Sequence, residues 1–222
     1  MKLVLASQGF TTPEIAQATA DLTGKPLNDL KVAVINEAYV AIAAGRDQSW
    51  LVNELSLIKQ YVQSVFFVNL RAYELSEVKD RLSSADLIYI VGGAQLVLPR
   101  LFKQIGLDKL LTELAQRKVI LGTSAGANVL GAHIQSAEYW EDQYGGVDKY
   151  LSEPSLGLVD FNILPHYDRE DHPRRTKDIL SPLLKDNPFP LYGVTDMQAV
   201  IYNDGEIEFV GGEPVKFGGE NS

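Results

Sequence analysis

A turn of small residues around one serine is the part of this sequence best suited to covalent chemistry. Residues 122–126 (GTSAG) follow the pattern G-x-S-x-G, directly after the apolar run Val119–Leu121 and before the helix-like stretch Ala125–Leu130. A serine at a sharp strand-to-helix turn exposes its hydroxyl and needs small neighbours, because its backbone is strained. The pattern predicts that Ser124 is a nucleophile. The alternative is a glycine-rich turn that binds phosphate at the helix N-terminus.

A serine hydroxyl needs a base to take its proton, and the chain has three histidines. His133 lies nine residues after Ser124, which is roughly 13 Å along a helix and out of reach. His172 lies in a charged segment and is expected to face solvent. His166 follows the apolar run Phe161–Pro165, and ligand sites in α/β sheets lie at the carboxyl ends of strands. His166 is the predicted base; the alternative is a histidine that only hydrogen-bonds at a strand end.

A carboxylate is expected to orient this histidine and to stabilise its charged form. Asp196 ends the strand-like run Leu191–Thr195 and is the predicted acid. An ordinary turn aspartate is the alternative for Asp196, and Glu138 and Asp168 are weaker rivals for the role.

Two backbone N–H groups are expected to stabilise the oxyanion of an acyl-transfer reaction. Ala125 directly follows Ser124 at the start of a helix, where backbone donors and the positive end of the helix dipole favour negative charge. Gly92 and Gly93 follow the apolar run Ile88–Val91, and glycine lets the backbone approach a substrate closely. The predicted donors are therefore the N–H groups of Gly93 and Ala125, with a simple strand-end turn as the alternative for the glycine pair.

Short apolar runs alternate with longer amphipathic stretches through the first two thirds of the chain. This order, and strands without polar alternation, are typical of a parallel sheet covered by helices on both faces. The predicted strands are Lys2–Ser7, Lys31–Asn36, Val65–Leu70, Leu87–Val91 and Lys118–Leu121. The predicted helices are Thr12–Leu22, Trp50–Val62, Glu74–Leu82 and Leu107–Arg117.

The last third of the chain predicts further strands. Phe161–Leu164 and Pro190–Val194 are two of them, and Ala199–Tyr202 and Glu206–Val210 form a hairpin around Asn203-Asp204-Gly205. An antiparallel edge on the main sheet would accommodate all of them. The segment Gly145–Pro154 is predicted to be a loop.

The composition narrows the classes of protein to which this chain can belong. The length of 222 residues, with 45% hydrophobic residues, predicts one α/β hydrolytic domain over residues 1–222. The absence of cysteine excludes a Cys-His nucleophile and disulfides. The net charge of −9 argues against a nucleic-acid partner. No signal segment or membrane span is predicted, so we expect a cytoplasmic protein that does not bind membranes.

Four segments resemble, in the same order, the peptidase E group of serine peptidases, which includes aspartyl dipeptidase and, more distantly, cyanophycinase. The segments are Met1–Phe10, Tyr89–Gln95, Ile120–Val129 and Leu158–Asp168. The resemblance implies a three-layer α/β sandwich with a mostly parallel central sheet, similar to class I glutamine amidotransferases. Those enzymes carry a cysteine at the elbow, which this chain lacks.

The resemblance also assigns roles to residues of this chain. It implies a Ser124, His166 and Asp196 arrangement, the oxyanion donors Gly93 and Ala125, and an acyl-enzyme mechanism without metal or organic cofactor. Family dipeptidases cleave after an N-terminal aspartate, whose side chain is bound by an arginine downstream of the histidine. The candidates for this substrate-binding arginine are Arg174 and Arg175, with Arg169 behind them; the alternative for Arg174 and Arg175 is a solvated helix start.

The strand-end loop reads Gly92-Gly93-Ala94-Gln95 where the family often has Gly-Gly-Gly-Asn, which makes Gln95 a candidate substrate-binding residue. The expected partner is a small peptide, and the oligomeric state is left open, a homodimer included. Two alternative functions remain: a cyanophycinase-like hydrolase of another amide bond, and a family member that binds a ligand without catalysis.

Overall fold

The fold contains two β-sheets, and the residues of the candidate site follow the ends of their strands. A computed structural model describes residues 1–40, 47–133, 155–185, 187 and 189–219. The strands are β1 (Lys2–Ala6), β2 (Lys31–Ile35), β3 (Ser64–Phe67), β4 (Leu87–Ile90), β5 (Val119–Thr123), β6 (Asn162–Pro165), β7 (Leu191–Val194), β8 (Ala199–Asn203), β9 (Glu206–Val210) and β10 (Val215–Phe217). The helices are α1 (Pro13–Thr23), α2 (Glu37–Val40), α3 (Ser49–Tyr61), α4 (Leu75–Ser84), α5 (Val97–Ile105), α6 (Leu107–Leu114), α7 (Ala125–Asn128) and α8 (Lys177–Leu184), with a 3₁₀ turn at Leu27–Asp29.

The larger sheet has seven strands in the order β3-β2-β4-β5-β1-β8-β9. Its first five strands are parallel, β8 runs antiparallel to β1, and β9 runs antiparallel to β8. The β8–β9 hairpin is thus the antiparallel edge that the sequence predicts. Because β4, β5 and β1 are parallel neighbours, their carboxyl ends meet at one edge of the sheet.

The strands predicted at Phe161–Leu164 and Pro190–Val194 do not join the antiparallel edge of the main sheet. β6 and β7 pair in parallel with each other, and β10 runs antiparallel to β7, giving a separate sheet in the order β10-β7-β6. The prediction that Phe161–Leu164 and Pro190–Val194 extend the main sheet was therefore wrong. The β8–β9 hairpin already occupies the position beside β1. The strand β10 was not predicted, and the predicted loop Gly145–Pro154 lies outside the described residues.

Both faces of the main sheet are buried, which explains why its strands lack polar alternation. Along β1, Leu3 and Leu5 belong to one apolar cluster while Val4 and Ala6 belong to the cluster on the other face. Helices cover both clusters, so the architecture is a three-layer α/β sandwich with a mostly parallel central sheet. A third, smaller cluster packs α8 against the second sheet.

Helix α1 begins and ends at capping residues. Thr12 caps α1, with its side chain accepting a hydrogen bond from the N–H of Ile15, and Gly24 ends the helix in the left-handed conformation. The unpredicted helix α5 buries Leu98, Leu101 and Phe102 at helical spacing. Among the described helices, none combines the length and the apolar character needed to cross a bilayer.

Candidate active site

Ser124 lies at the corner between β5 and α7, with a strained backbone of φ 49° and ψ −115°. The corner is tight: a Cβ on Gly122 would lie 2.2 Å from the carbonyl oxygen of Gly126, and a Cβ on Gly126 would lie 2.1 Å from that of Ile90. The N–H of Ser124 donates to the carbonyl of Ala6 at 3.0 Å, which ties the corner to the end of β1. The local structure is the sharp strand-to-helix elbow expected from the sequence.

His166 directly follows β6 and is brought to Ser124 from the second sheet. Its Nε2 lies 3.2 Å from the Oγ of Ser124. The residue has a positive φ of 55°, an uncommon conformation outside glycine. Its backbone N–H donates to the Oγ of Ser7 at 2.8 Å. The imidazole is thus held within hydrogen-bond range of the serine hydroxyl.

Asp196 contacts the other nitrogen of this imidazole. Its Oδ1 lies 2.7 Å from the Nδ1 of His166. Asp196 follows β7, which pairs in parallel with β6, so both side chains leave the same end of the second sheet. Its carbonyl accepts a hydrogen bond of 2.6 Å from the hydroxyl of Thr11. The three residues singled out in the sequence are therefore linked by two successive contacts.

Ser7 is a buried polar residue at this site that the sequence analysis did not identify. Its Oγ donates to the Oδ1 of Asp196 at 2.5 Å, lies 3.2 Å from the Nδ1 of His166, and accepts the backbone hydrogen bond of that residue. Ser7 directly follows β1, and β1 pairs with β5, which places it beside the elbow. The available signal was its position after a predicted strand, but only the strand order shows which neighbours that strand has.

Arg169 is the second site residue whose contacts were not predicted. Its Nη1 donates to the Oδ2 of Asp196 at 3.1 Å. Its Nε and Nη2 contact the two carboxylate oxygens of Asp171 at 2.5 and 2.6 Å, a bidentate pair. The guanidinium therefore joins the loop after β6 to the carboxylate that contacts His166.

The two partners of the histidine–carboxylate pair titrate in ways that suit a general base. Burial lowers the pKa of His166; the contact with Asp196 acts in the opposite direction, and the charges of Arg169 and Arg175 lower the pKa further. Burial raises the pKa of Asp196, but His166, Ser7 and Arg169 together outweigh it and hold the pKa well below its usual range. At neutral pH the imidazole is thus neutral and the carboxylate is charged.

His172 packs against the ring of His166, with centroids 5.6 Å apart and an interplanar angle of 21°. The expectation that His172 faces solvent was wrong, because this stacking leaves it only half-exposed. His133 lies elsewhere: its ring packs against Phe189, and its N–H donates to the side chain of Asn162.

The end of β4 packs directly against the elbow. A Cβ on Gly92 would lie 2.8 Å from the Cβ of Ser124. Gly93 has φ 136°, and a Cβ there would lie 2.5 Å from the backbone of Ala38, so only glycine fits. Ala125 is the first residue of α7, where backbone N–H groups have no intrahelical acceptor. Gly93 thus follows β4, and Ala125 follows the neighbouring strand β5 directly after Ser124.

The sequence from residue 4 to residue 210 matches the model of peptidase family S51. The chain belongs to peptidase family S51. It is therefore a serine-type peptidase, in agreement with the resemblance to peptidase E. The match covers nearly the whole chain and includes the elbow at Ser124.

Relatives of this S51 peptidase share about a quarter of its residues. An uncharacterized peptidase of Listeria innocua is 26% identical over 214 residues, covering 93% of this chain and 95% of the relative. An uncharacterized peptidase of Pasteurella multocida is 26% identical over 138 residues, covering 62% of this chain and 65% of the relative. These relatives support the family without adding a substrate.

Solved structures agree with the fold. A 1.5 Å crystal structure of a peptidase E candidate from Listeria monocytogenes aligns with a TM-score of 0.72 at 21% identity, covering 94% of this chain and 96% of that one. A peptidase from an acI-B1 actinobacterium aligns with a TM-score of 0.64 at 18% identity, covering 99% and 95%. At these identities the likeness shows the fold alone.

The remaining predicted residues of this S51 peptidase lie around the site in different settings. Arg175 is buried, and its Nη1 donates to the carbonyl of Pro165 at 2.9 Å, at the residue before His166. Arg174 is half-buried, Gln95 is buried, and Asp168 is exposed. Glu138, the other rival for the acid, lies outside the described residues. Arg169, the third candidate cation, donates a hydrogen bond to Asp196.

Proposed function

We propose that this S51 peptidase hydrolyses small peptides through an acyl-enzyme on Ser124, with His166 as general base and Asp196 as its orienting carboxylate. The observation that carries the proposal is the chain of contacts from the Oγ of Ser124 to Nε2 of His166 at 3.2 Å, and from its Nδ1 to Asp196 at 2.7 Å. These contacts match the roles that acyl transfer requires.

In the acylation half, the Oγ of Ser124 attacks the scissile carbonyl carbon and its proton moves to Nε2 of His166. The carbonyl oxygen becomes an oxyanion, which accepts hydrogen bonds from the N–H groups of Gly93 and Ala125. The lowered pKa of His166 keeps the imidazole neutral and ready for this proton. Asp196 then stabilises the imidazolium that forms.

Acylation is completed when the imidazolium of His166 gives its proton to the leaving nitrogen, the carbon–nitrogen bond breaks and the amine departs, which leaves the acyl group on Ser124. Water then attacks the acyl carbon while His166 takes the water proton and returns it to the Oγ of Ser124. The products are a carboxylic acid and a free amine, and the protein returns to its starting state.

Ser7 and Arg169 act in this scheme as positioning residues. The hydrogen bond from the Oγ of Ser7 to Oδ1 of Asp196 fixes the oxygen that faces the imidazole. The contact from Arg169 to Oδ2 fixes the other oxygen, so the carboxylate plane is set by two partners.

The proposed substrates are dipeptides with an N-terminal aspartate. Three cationic side chains in the loop after β6, Arg169, Arg174 and Arg175, support this preference, since a guanidinium suits a carboxylate. The resemblance to aspartyl dipeptidase supports it as well. Arg174 is the proposed contact for the substrate carboxylate, since it is half-buried in the loop that follows His166.

Covalent labelling with a fluorophosphonate tests the chemistry. We expect one phosphonyl adduct by intact mass, mapped to Ser124, and no adduct in Ser124→Ala. Labelling should fall by orders of magnitude in His166→Ala, while Ser76→Ala, a serine exposed on α4, should label like the wild type. An unlabelled wild type, or a Ser124→Ala protein that retains full activity, overturns the proposal.

A substrate panel tests the specificity. Hydrolysis of Asp-X dipeptides in preference to neutral dipeptides and to a β-Asp-Arg isopeptide supports the proposal. Arg174→Gln should raise KM for Asp-X and leave neutral dipeptides unaffected. Preference for the β-Asp-Arg bond would instead indicate a cyanophycinase-like activity.

A further inference from the structure

A buried carboxylate on α3 reaches the strand that carries the elbow. Glu54 is only 3% exposed. Its Oε1 lies 2.5 Å from the Oγ1 of Thr123 and accepts a hydrogen bond of 3.0 Å from the hydroxyl of Tyr89. Glu54 takes no part in the proposed acyl transfer, yet its contact Thr123 is the residue directly before Ser124.

Thr123 connects this carboxylate to the loop after β4. The N–H of Gly92 donates to the Oγ1 of Thr123 at 3.1 Å. Gly92 lies against Ser124 and directly precedes Gly93, the proposed oxyanion donor. A continuous chain of hydrogen bonds therefore runs from Glu54 through Thr123 to the backbone of the loop at Gly92 and Gly93, which we call the oxyanion loop.

The same cluster supports the loop after β1. The Tyr89 ring is fully buried and packs edge-on against Phe10 at 5.9 Å. A Cβ on Gly9 would lie 1.9 Å from the Tyr89 hydroxyl, so the backbone two residues after Ser7 rests on this hydroxyl. The loop after β1, the elbow and the oxyanion loop therefore all contact the same buried polar cluster of Glu54, Thr123 and Tyr89.

The groups that face Glu54 are neutral hydroxyls. Tyr89 faces it from β4 and Thr123 from β5, and within the described ranges no cation contributes to its titration. Burial raises the pKa of Glu54 to about 7, which the hydrogen bonds from Thr123 and Tyr89 oppose. Both charge states are therefore populated near neutral pH.

We propose that Glu54 is a positioning residue that sets the oxyanion loop through the hydroxyl of Thr123, and that its protonation changes this setting. The consequence for catalysis rests on the proposed function. The consequence for the position of Gly92 does not, because it follows from the hydrogen bonds alone.

The hydrogen-bond inventory of Thr123 explains why protonation matters. A hydroxyl has one proton to donate and can accept two hydrogen bonds. When Glu54 is ionised, Thr123 donates to it and accepts from Gly92. When Glu54 is protonated and donates to Thr123, the threonine proton must turn to another acceptor, either the hydroxyl of Tyr89 or the carbonyl of Ile90, which lies 3.5 Å away. Both acceptors belong to β4, so we expect β4 and Thr123 to shift together.

The first test compares Glu54→Gln and Thr123→Val with the wild type. Because the donors remain present but displaced, we expect kcat to fall about tenfold with KM little changed, less than the loss from deleting a donor outright. Thr123→Ser keeps the hydroxyl and should restore kcat. Thr19→Val is the matched control, since its buried hydroxyl bonds to Ile15 on α1, and it should leave kcat unchanged.

The second test does not depend on activity. In a His166→Ala background, where the base cannot titrate, the amide chemical shift of Gly92 is followed by NMR between pH 5 and pH 9. We expect a titration step near pH 7 that is absent when Glu54→Gln is added. A protein in which Ser124 does not react refutes the proposed function but leaves this measurement decisive for Glu54.

Two outcomes overturn the inference. One is a Gly92 amide with the same titration in the presence and absence of Glu54→Gln. The other is a Thr123→Val protein with wild-type kcat. Loss of kcat in Thr123→Val and Thr123→Ser alike, or an equal loss in Thr19→Val, also rejects it, because the hydroxyl at residue 123 is then not the cause.

Discussion

Asp196 and Glu54 are two carboxylates that short chains of hydrogen bonds connect to the same elbow, yet their pKa values are shifted in opposite directions. Asp196 contacts an imidazole and a guanidinium, and its pKa lies well below the usual range. Glu54 contacts two neutral hydroxyls, and burial raises its pKa to about 7. His166, Ser7 and Arg169 together outweigh the desolvation of Asp196, while two hydroxyls alone do not outweigh that of Glu54.

This difference separates a carboxylate that stays charged from one that changes charge near neutral pH. We propose that Asp196 stays charged and orients His166 throughout the pH range in which the enzyme works. Glu54 is proposed to change the position of the oxyanion loop within that pH range. Substitutions at Asp196, Glu54, Ser7 and Arg169 test this difference, and the expected effects decrease in that order.

Asp196→Asn removes the charge from the first carboxylate while keeping its shape. Because the amide favours the wrong imidazole tautomer, we expect the labelling rate at Ser124 to fall by on the order of 10³ to 10⁴. Glu170→Gln changes an exposed charge in the loop after β6 and serves as the control. A rate within tenfold of the wild type would mean that Asp196 is not the orienting acid.

Glu54→Gln removes the pH-dependent charge from the second carboxylate. The folded protein holds this proton up to about pH 7, whereas an unfolded chain releases it near pH 4.3. The free energy of unfolding therefore falls as pH rises through this interval. We expect the wild type to lose about 2 kcal/mol more than Glu54→Gln between pH 5 and pH 8, measured by urea denaturation.

Glu77→Gln, an exposed glutamate on α4, is the control for this stability measurement. It should show the pH dependence of the wild type. An identical pH dependence in Glu54→Gln would show that the buried glutamate does not bind a proton in this range.

Ser7→Ala removes the hydroxyl that contacts Asp196 and the N–H of His166. A hydrogen bond to a charged group is worth about 1.5 kcal/mol or more, so we expect kcat to fall about tenfold with KM little changed. Steady-state kinetics on the best substrate of the panel measures it, with Ser76→Ala as the control. An unchanged kcat would remove Ser7 from the positioning residues.

Arg169→Gln removes a positive charge beside His166. Without it the imidazolium is less disfavoured, so the pKa of His166 rises and the acid limb of the labelling rate moves to higher pH. The rate on the neutral plateau should fall as well, because the contact that fixes Oδ2 of Asp196 is lost. Arg169→Lys, which keeps the charge, should retain the wild-type limb, and a limb that moves equally in both variants would contradict the electrostatic account.

The local elements were predictable because they depend on residues close together in the chain. The capped helix after Thr12, the apolar strands and the hairpin at Asp204-Gly205 were predicted within a few residues of their observed bounds. Both turn residues of that hairpin have positive φ, as a two-residue hairpin turn requires. The separate second sheet was not predicted, since pairing of β6 with β7 is a long-range choice.

Within the site, the elbow could be read from local residues, because small residues around Ser124 between an apolar strand and a helix allow the sharp corner that is observed. His166 and Asp196 could be selected because each follows a predicted strand, and their roles stay a prediction. The contacts of Ser7 and Arg169 with Asp196, and of Glu54 with Thr123, became visible in the folded structure alone. Such contacts join residues far apart in the chain, and the order of strands in a sheet, which local patterns do not encode, decides which ends meet.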